Sequence, residues 1–369
     1  MSNYNELYRN VWCILGLPFD AVDMTLAMEK VHGAVLNRTP CFISTPNLNF
    51  LVASQKDKAF HDSVINSNLS IADGMPLIWI AKFLGLPITE RVPGSGLVDQ
   101  LNSNSSQSKE TIKIFFFGGI EGVAERACEL LNAGNGQLKC VGTFYPGFGT
   151  VDEMSQIEII ENINSSEPDF VIVSLGAKKG QQWIIKNRLK INAPVISHLG
   201  AVVNFIAGSI NRSPVWMQKA GLEWLWRIYQ EPALWKRYVS DGVVFIKLIF
   251  SRIIPYKLFL MFNGKPETNN NYSIDEVEKN SEIELILVGV FTYTNINFIR
   301  DSFKKAVKSA QNIEINMDGV TYIDSSVIAL IMILDKLVKE NGCSLLFTSV
   351  PKRIKRIFSY NGALFLLKG

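Results

Sequence analysis

Short apolar runs rich in β-branched and aromatic residues recur between positions 41 and 200, and segments with helical periodicity separate them. The runs are CFIST at 41, IKIFFFGG at 112, LKCVGTF at 138, FVIVSLG at 170 and APVISHLG at 193. Strands that alternate with helices need crossover connections, and these produce a parallel sheet. The intervening stretches 122–132 and 151–163 carry apolar residues at helical spacing, as crossover helices do. The pattern predicts an α/β, Rossmann-like domain.

Ligands of such sheets bind beyond the carboxyl ends of the strands, where glycine lets backbone N–H groups approach phosphate. Gly118, Gly119 and Gly176 follow apolar runs, as does the Pro146-Gly147 pair. These glycines are predicted to lie at the ligand-binding edge.

A polar stretch, NGKPETNNNYSIDEVEKNSE at 263–282, separates a second predicted domain from the first. Its shortage of large apolar residues is typical of a linker. We therefore expect a first domain at 1–240, an apolar and basic segment at 241–262, the linker, and a smaller α/β domain at 283–369. In the last of these, strands are predicted at 283–290, 313–317 and 344–349, and helices at 297–308, 326–340 and 352–360.

Composition excludes several function classes. The 37 basic residues nearly balance 34 acidic ones, and the net charge of +3 gives no general case for a nucleic-acid partner. The five cysteines form no CxxC pair and are odd in number, which argues against a disulfide framework or a zinc site and favours a reducing compartment. The first twenty residues lack the basic start and apolar run of a secretory signal.

The usual diphosphate and dinucleotide motifs are also missing. No Asp-x-Asp pair occurs and the three histidines are far apart, so the sequence supports no metal site. Gly118-Gly119-Ile120-Glu121-Gly122 breaks the G-x-G-x-x-G spacing, so no dinucleotide cofactor is expected, and an NAD-linked oxidoreductase is the least supported class.

Asp73 is the candidate catalytic residue. It lies in Ala72-Asp73-Gly74, and Thr45 and Asn47 lie in Ser44-Thr45-Pro46-Asn47; each motif follows an apolar run and precedes a helical one. A carboxylate at that edge can take the proton from an acceptor hydroxyl if its surroundings keep it basic enough. The alternative is that Asp73, like Thr45 and Asn47, only caps the following helix.

Arginines are the candidate anion ligands. Arg91 adjoins the glycine-rich turn Pro93-Gly94-Ser95-Gly96, and its fork of donors suits phosphate oxygens, although a surface pair with Glu90 is an alternative. Arg212, Arg227 and Arg237 lie in a segment, 212–238, that also contains four tryptophans. That combination suits a membrane interface and a lipid diphosphate headgroup, but the tryptophans could equally form packed core.

Residues 242–262, GVVFIKLIFSRIIPYKLFLMF, come nearest to a membrane span, but Lys247, Arg252, Pro255 and Lys257 interrupt them. Such a composition suits a segment that lies on a membrane. The cations recur every five residues and so do not line one helical face.

Taken in order, these motifs resemble those of the WecG/TagA/CpsF glycosyltransferase family, over about 14–238. They are TPNLNFL at 45, ADGMPLIW at 72, ERVPGSGL at 90, FFGG at 116, LGAKKGQQWI at 175, RSPVWMQKAGLEWLWRIYQEP at 212 and KRY at 236. The resemblance implies an inverting, metal-independent hexosyltransferase that moves an N-acetylmannosamine-type sugar from a UDP donor to a polyprenyl-diphosphate-linked acceptor. It further implies cell-envelope or exopolysaccharide synthesis by a peripheral protein at the cytoplasmic face of the membrane.

Carried over position by position, the resemblance makes Asp73 the base and gives the arginines two tasks. Arg91 would contact the donor, and Arg212, Arg227 and Arg237 the acceptor diphosphate and the membrane. The remaining donor-binding positions would be Thr45, Asn47, Gly118, Gly119, Gly176 and Gln181. UDP-sugar would be a substrate, and no cofactor is expected.

The sequence departs from the family pattern at four positions. Gly180 and Gln181 replace a glutamine and a glutamate, Asn204 replaces an aspartate, and His198 stands where a small glycine is usual. A changed donor is one explanation. Weakened activity is the other, and it would make the protein a UDP-sugar-binding protein that acts mainly in signalling.

The tail, from about 273 to 367, resembles a STAS domain, the fold of anti-sigma-factor antagonists. The motif VTYIDSS at 320–326 carries the resemblance, and Val327 replaces a usual glycine. The resemblance implies a regulatory module that binds a protein partner and has a phosphorylatable serine at Ser325. The alternative is that Asp324 caps a helix and Ser325 is an ordinary serine.

Overall fold

The computed structural model describes residues 4–103, 111–263, 272–279 and 282–368. Its strands are β1 Val11–Ile14, β2 Leu17–Asp20, β3 Cys41–Ser44, β4 Leu69–Ser70, β5 Ile112–Gly118, β6 Leu138–Phe144, β7 Phe170–Ser174, β8 Val195–His198, β9 Ser273–Lys279, β10 Glu282–Phe291, β11 Asn312–Ile323 and β12 Leu345–Thr348. The five apolar runs predicted as strands all form strands.

The helices connect these strands largely as the periodicity predicts. They are α1 Met24–Leu36, α2 Leu48–Ser54, α3 Lys58–Ile65, α4 Met75–Leu84, α5 Gly94–Asn102, α6 Val123–Ala133, α7 Ile157–Ser165, α8 Ala177–Asn187, α9 Val202–Ile206, α10 Val215–Lys219, α11 Glu223–Gln230, α12 Trp235–Leu248, α13 Ile254–Asn263, α14 Ile296–Lys308, α15 Ser325–Glu340 and α16 Lys352–Tyr360. A π-helical turn, Ile249–Ile253, stands between α12 and α13.

The chain divides into two compact units. The first, here called the large unit, comprises Val22–Ile78 and Thr89–Gly242. The second, the composite unit, comprises Met1–Ala21, Trp79–Ile88 and Val243–Gly369.

The large unit is built on a six-stranded sheet in the order β4-β3-β8-β7-β5-β6, in which all neighbours are parallel. Helices cover both faces, and the strands are therefore apolar on both sides. Along β5, Ile114 and Phe116 enter one buried cluster while Phe115 and Phe117 enter the other. The carboxyl ends of β3, β4, β7 and β8 consequently meet at one edge of the sheet, which is the edge the sequence predicts for ligands.

Cys128 on α6 and Cys140 on β6 form a disulfide within this unit. The sequence argument against disulfides is wrong for this pair. The odd cysteine count excludes complete pairing but not a single bridge, and the crossover from α6 to β6 brings the two side chains together.

The composite unit contains a four-stranded sheet in the order β12-β11-β10-β9. Strands β10, β11 and β12 are parallel, whereas β9 is antiparallel to β10 at the edge. Residues Ser273–Lys279, which belong to the polar stretch expected to be a linker, thus form a strand. This edge strand is mostly polar and charged, with Ile274 and Val277 as its apolar residues, and it contains no apolar run.

The N-terminal hairpin β1-β2 also belongs to the composite unit, and β1 packs against α15. Leu15 and Gly16 form its turn with positive φ of 51° and 93°. Two buried ion pairs lie at this hairpin and the residues before it. Arg9 Nη2 lies 2.6 Å from Asp20 Oδ2 of β2. Lys336 Nζ of α15 lies 2.5 Å from Glu6 Oε2.

Candidate active site

A cavity of about 450 Å³ opens at the carboxyl edge of the large unit's sheet. Strand ends supply one side of it and the helical segment 204–238 supplies the other. Its walls are formed by Thr45, Asn47, Asn49, Phe50, Asp73, Pro93, Gly94, Ser95, Leu175, Gly176, Ala177, His198, Leu199, Gly200, Ala201, Val202, Asn204, Phe205, Glu223, Arg227, Glu231, Leu234, Arg237 and Tyr238.

Asp73 lies in this wall, between β4 and α4. Its backbone N–H donates to the carbonyl of Pro46 at 2.9 Å, which ties it to the end of β3. Its side chain is 28% exposed. Burial raises the pKa of the Asp73 carboxyl to about 6, against the opposing charges of Arg91 and Arg227 and with the added repulsion of Glu223. The carboxyl is thus a stronger base than an ordinary aspartate and is still ionised at neutral pH.

Thr45 and Asn47 follow β3 and also line the cavity. The Asn47 side chain accepts a hydrogen bond from the backbone N–H of Phe50 at 3.2 Å and so caps α2. The capping interpretation is therefore correct for Asn47, while its place in the wall keeps the ligand interpretation open. Asp73 accepts no such bond from α4 in the described contacts, and its carboxylate is turned toward Arg91 and the backbone N–H of Gly94.

Arg91 stands next to the cavity rather than in its wall. Its Nε lies 4.0 Å from Asp73 Oδ1, and its Nη1 donates to Glu223 Oε2 at 2.6 Å. The partner of Arg91 is thus Glu223, from α11, and not the neighbouring Glu90. One guanidinium bridges the carboxyl of the candidate base and a second carboxylate.

Two of the three arginines from the 212–238 segment, Arg227 and Arg237, line the cavity. Arg227 also pairs with Glu231 at 3.5 Å. Arg212 lies outside the wall, where it pairs with Asp99 and donates to the carbonyl of Ser95 at 3.1 Å.

Phe205 contacts both Arg212 and Arg227. Their guanidinium carbons lie 5.2 and 5.3 Å from the centroid of its ring, a separation at which cations and aromatic faces attract. Arg212 is therefore close to the wall without forming part of it.

Gly176 lines the cavity just before α8, but Gly118, Gly119 and Gln181 do not. Gly118 has φ +91° and lies so close to the Ser174 carbonyl that a Cβ would fall 3.0 Å from it, and Gly119 donates to that same carbonyl at 2.8 Å. Gln181 is fully buried, and its amide contacts the Ser44 hydroxyl. These three residues were predicted as donor ligands, but none of them lines the cavity. Their backbone conformation and packing contacts support the residues around the site instead.

Several wall residues were not assigned by sequence reasoning. Glu223, Glu231 and Tyr238 lie in the tryptophan-rich segment, where nothing in the sequence marked them as residues of a binding site. His198 and Asn204 stood out only as unusual positions.

In the part of the chain that the structure describes, no group of three or more His, Cys, Asp or Glu side chains could hold a metal ion. Over the same residues, no helix has both the length and the apolar character to cross a membrane.

Ser325 begins α15 in the composite unit and is 2% exposed. Asp324 caps this helix, since its side chain accepts from the backbone N–H groups of Ser326 and Val327. The capping interpretation of Asp324 is correct, and phosphorylation of Ser325 stays a prediction.

A basic carboxylate and neighbouring guanidinium groups at the ligand edge of a parallel sheet are typical of an α/β group-transfer enzyme. The chain belongs to the WecG/TagA/CpsF family of glycosyl transferases, whose model matches residues 12–257, and a STAS domain follows at 274–368. The predictions of this family, of the α/β fold with a STAS module and of a hexosyltransferase enzyme are confirmed.

Relatives with an assigned activity support the same class. A protein of Bacillus spizizenii, named N-acetylglucosaminyldiphosphoundecaprenol N-acetyl-beta-D-mannosaminyltransferase, is 25% identical over 61% of this chain and 85% of its own. A protein of the same name from Staphylococcus aureus strain MW2 is 24% identical with the same coverage. A solved anti-sigma factor antagonist in its unphosphorylated form is 13% identical over 24% of this chain and 82% of its own, with a TM-score of only 0.22.

Proposed function

We propose that this protein transfers an N-acetylmannosamine-type sugar from a UDP donor to a sugar linked to polyprenyl diphosphate, with inversion at the anomeric carbon. Asp73 removes the proton of the acceptor hydroxyl. The resulting oxygen attacks the anomeric carbon, and the bond from that carbon to the diphosphate breaks. UDP leaves with the bonding electron pair, while Asp73 retains the proton.

The observation that carries this proposal is the state of Asp73. An ordinary aspartate, with a pKa near 3.8, is a weak base, whereas burial in the cavity raises the pKa of Asp73 to about 6. General-base catalysis is most effective when the pKa of the base approaches the working pH. Because Asp73 lies in the cavity wall, an acceptor bound in the cavity would bring its hydroxyl to this base.

The cavity also offers groups that would stabilise the negative charge that develops on the leaving UDP. Arg227 and Arg237 line the cavity, and Arg91 lies beside the candidate base. The first residues of α8 open on the same space, and helix N-termini favour anions. Guanidinium groups and backbone N–H groups together would stabilise the departing diphosphate without a metal ion.

The choice of sugar and acceptor follows the relatives. Their name states a mannosaminyl transfer to N-acetylglucosaminyl diphosphoundecaprenol, and the cavity offers cations for a diphosphate and a base for a hydroxyl. The product would be a precursor of a cell-envelope polymer or exopolysaccharide. The STAS domain would bind a regulatory protein partner.

With a membrane-bound acceptor, the protein would work at the membrane surface, and we place it on the cytoplasmic face as part of the proposal. Large apolar side chains in the second half of α12 and the following turn support this part of the proposal, since Val243, Ile246 and Phe250 are exposed at helical spacing. Lys247 lies in the last turn of α12. An apolar stripe with neighbouring cations is typical of a helix that lies on anionic lipid.

The test replaces Asp73 by Asn and measures sugar transfer from UDP-N-acetylmannosamine to a lipid-linked N-acetylglucosamine acceptor. We expect kcat to fall by about 10² to 10⁴, the usual contribution of a general base. Asp23→Asn is the matched control, because Asp23 is an exposed cap of α1 and should leave kcat unchanged. Full turnover by Asp73→Asn would exclude Asp73 as the base.

The second candidate is a UDP-sugar-binding protein with weak transfer activity that acts mainly in signalling. The observation in its favour is that Gln181 is buried against Ser44 and so presents no charge to the cavity. A wild-type protein that UDP stabilises against heat, but that transfers no sugar to lipid-linked acceptors, would support this candidate.

A further inference from the structure

Asn49 lies in the first turn of α2 and lines the cavity, yet the mechanism above gives it no task. Its side-chain nitrogen Nδ2 donates a hydrogen bond to Oδ2 of Asp241 at 3.0 Å. A carboxylate only accepts hydrogen bonds, so the nitrogen end of the amide must face Asp241. The two ends of the amide cannot be exchanged without loss of this bond, and Asp241 therefore fixes where Oδ1 lies.

Asp241 is buried and does not line the cavity itself. It lies in α12 one turn after Arg237 and Tyr238, which belong to the wall. Residues three and four apart share one face of a helix, so Asp241 lies on the face of α12 that is turned toward the site. Among the described residues, no cation pairs with Asp241, and its carboxylate receives a side-chain hydrogen bond from Asn49 alone. A buried charge with so little compensation costs stability, so the pair is better explained by the orientation that it gives to Asn49.

Oδ1 of Asn49 is the end of the amide that remains available to a ligand. It receives no hydrogen bond from any residue that the structure describes, and it is not one of the buried polar atoms that lack a partner, so it is accessible. Since Nδ2 is directed at a residue outside the wall, the accessible oxygen is turned toward the cavity. Such an oxygen accepts from O–H and N–H groups and repels phosphate oxygens, so it suits a sugar and not a diphosphate.

We propose that Oδ1 of Asn49 accepts a hydrogen bond from an O–H or N–H group of a substrate sugar, and that Asp241 is the positioning residue that keeps this oxygen turned toward the cavity. The proposal rests on the proposed function. The sugar belongs either to the nucleotide-sugar donor or to the lipid-linked acceptor, because the reacting ends of both must meet in the cavity.

Two double variants separate the effect of the oxygen from that of the side chain's shape. Asn49→Asp with Asp241→Asn, the reversed pair, keeps the hydrogen bond in the opposite direction and still presents an oxygen to the cavity. Asn49→Leu with Asp241→Leu, the apolar pair, nearly keeps the volume and removes both polar groups together, so neither is left unpaired. We expect the apolar pair to raise the KM of one substrate by about 5- to 20-fold, the usual range for one lost hydrogen bond, with little change in kcat. The reversed pair should stay within about threefold of wild type.

Asp241→Leu alone tests the positioning role. The oxygen of Asn49 remains, but the amide can now turn and present its nitrogen instead, so the KM for the same substrate should rise by about two- to fivefold. Asn37→Leu is the control, because Asn37 is an exposed residue at the end of α1 and outside the cavity wall. It should leave both KM values unchanged.

Separate titrations of UDP-N-acetylmannosamine and of a lipid-linked N-acetylglucosamine acceptor distinguish the two sugars. A higher KM for the first assigns the hydrogen bond to the donor sugar, and a higher KM for the second assigns it to the acceptor sugar. Unchanged KM values for both substrates in the apolar pair would overturn the proposal. A reversed pair as impaired as the apolar pair would overturn it as well, because the oxygen would then have no effect.

Calorimetric binding of UDP-N-acetylmannosamine and of a short-chain analogue of the lipid-linked acceptor gives a readout that needs no turnover. If the wild type transfers sugar and the apolar pair binds both substrates as tightly as the wild type does, the proposed function stands and only the role of Asn49 falls. If the wild type binds the donor but transfers no sugar, the proposed function falls, while weaker donor binding by the apolar pair would still support the role of Asn49.

Discussion

The burial that makes the Asp73 carboxylate a better base also makes the folded protein less stable when that carboxylate is ionised. In the unfolded chain its carboxyl has the ordinary pKa of 3.8, and in the folded cavity burial raises that pKa to about 6. The folded state therefore binds the proton more tightly than the unfolded state does. The ionised form consequently opposes folding fully above pH 6, and the penalty disappears as the pH falls from 6 toward 4.

The first prediction is that Asp73→Asn stabilises the protein at pH 7.5. Removal of the buried charge should raise the free energy of unfolding by about 1 to 3 kcal/mol, because each unit of pKa shift corresponds to about 1.4 kcal/mol and partial exposure reduces the effect. Urea unfolding at pH 7.5 and at pH 4 checks it, since the gain should vanish at the lower pH. A variant that is less stable at both pH values would contradict the assigned pKa.

Glu223 adds to the basicity of Asp73 in two ways. Its charge raises the pKa of the Asp73 carboxyl, and it binds the Arg91 guanidinium whose charge lowers that pKa. The second prediction is that Glu223→Gln lowers the pKa of Asp73. The acid limb of the kcat/KM profile should move to lower pH by a few tenths of a unit to one unit, as expected for one partly screened charge.

The control for this profile is Glu231→Gln. This variant also removes a carboxylate from the cavity, but the carboxylate pairs with Arg227 and not with Arg91. Glu231 reaches the Asp73 carboxyl only through Arg227, whose charge lowers the pKa of Asp73, so the acid limb should move less than in Glu223→Gln. An acid limb that moves equally in both variants would show that the cavity responds to its total charge and not to Glu223.

Much of the candidate site could be predicted at this scale, and the reason is topological. Thr45, Asn47, Asp73 and Gly176 each follow a strand, and parallel strands deliver such residues to a single edge. Gln181 could not be placed in this way, because one turn of α8 decides whether a side chain faces the ligand or Ser44. Glu223 could not be predicted either, since its contact with Arg91 joins positions 132 residues apart.

Among the elements, the helical stretch from α12 to α13 has two different faces. Ile253, Tyr256 and Phe259 are buried in the composite unit, where Tyr256 and Phe259 pack against Tyr360 of α16. Phe250 and Phe262 are exposed. The sequence predicted a membrane-associating segment here, but it could not show that part of the apolar surface already serves the fold.

The third prediction concerns the exposed face. Phe250→Glu should weaken co-sedimentation with anionic liposomes by about tenfold, because it removes a large apolar side chain from the surface and adds a repulsive charge. Leu189→Glu is the control, since Leu189 is also an exposed apolar residue but lies after α8, away from this stretch. Equal binding by wild type and both variants would exclude this face as the membrane contact.

The strands show where a periodic pattern succeeds and where it fails. Five apolar runs predicted β3, β5, β6, β7 and β8, because strands buried on both faces are continuously apolar. Strand β4 has only two residues and gives no pattern. Strand β9 lies at a sheet edge, where charged residues are favoured, and so its composition predicted a linker.

At the scale of the whole molecule, the STAS residues 274–368 belong to a larger compact unit. The first 21 residues belong to the same unit, and they bring β1 against α15 and Glu6 against Lys336. No local pattern indicates this association, because it depends on side chains that are 330 residues apart. The sequence analysis therefore placed Glu6 and Lys336 in two different domains.

The fourth prediction tests whether the buried pair holds the N-terminal segment in this unit. Glu6, Arg9, Asp20 and Lys336 are all buried, and their charges cancel. Lys336→Met leaves a net negative charge in the group, which should cost about 2 to 4 kcal/mol, whereas Glu6→Gln together with Lys336→Met restores neutrality and should recover at least half of that loss. Hydrogen exchange of the α15 amides reports on this unit, and protection should fall by about 30- to 1000-fold in the single variant. If the double variant is as poorly protected as the single one, the effect is a packing defect at Lys336 and the charge pair does not hold the N-terminal segment.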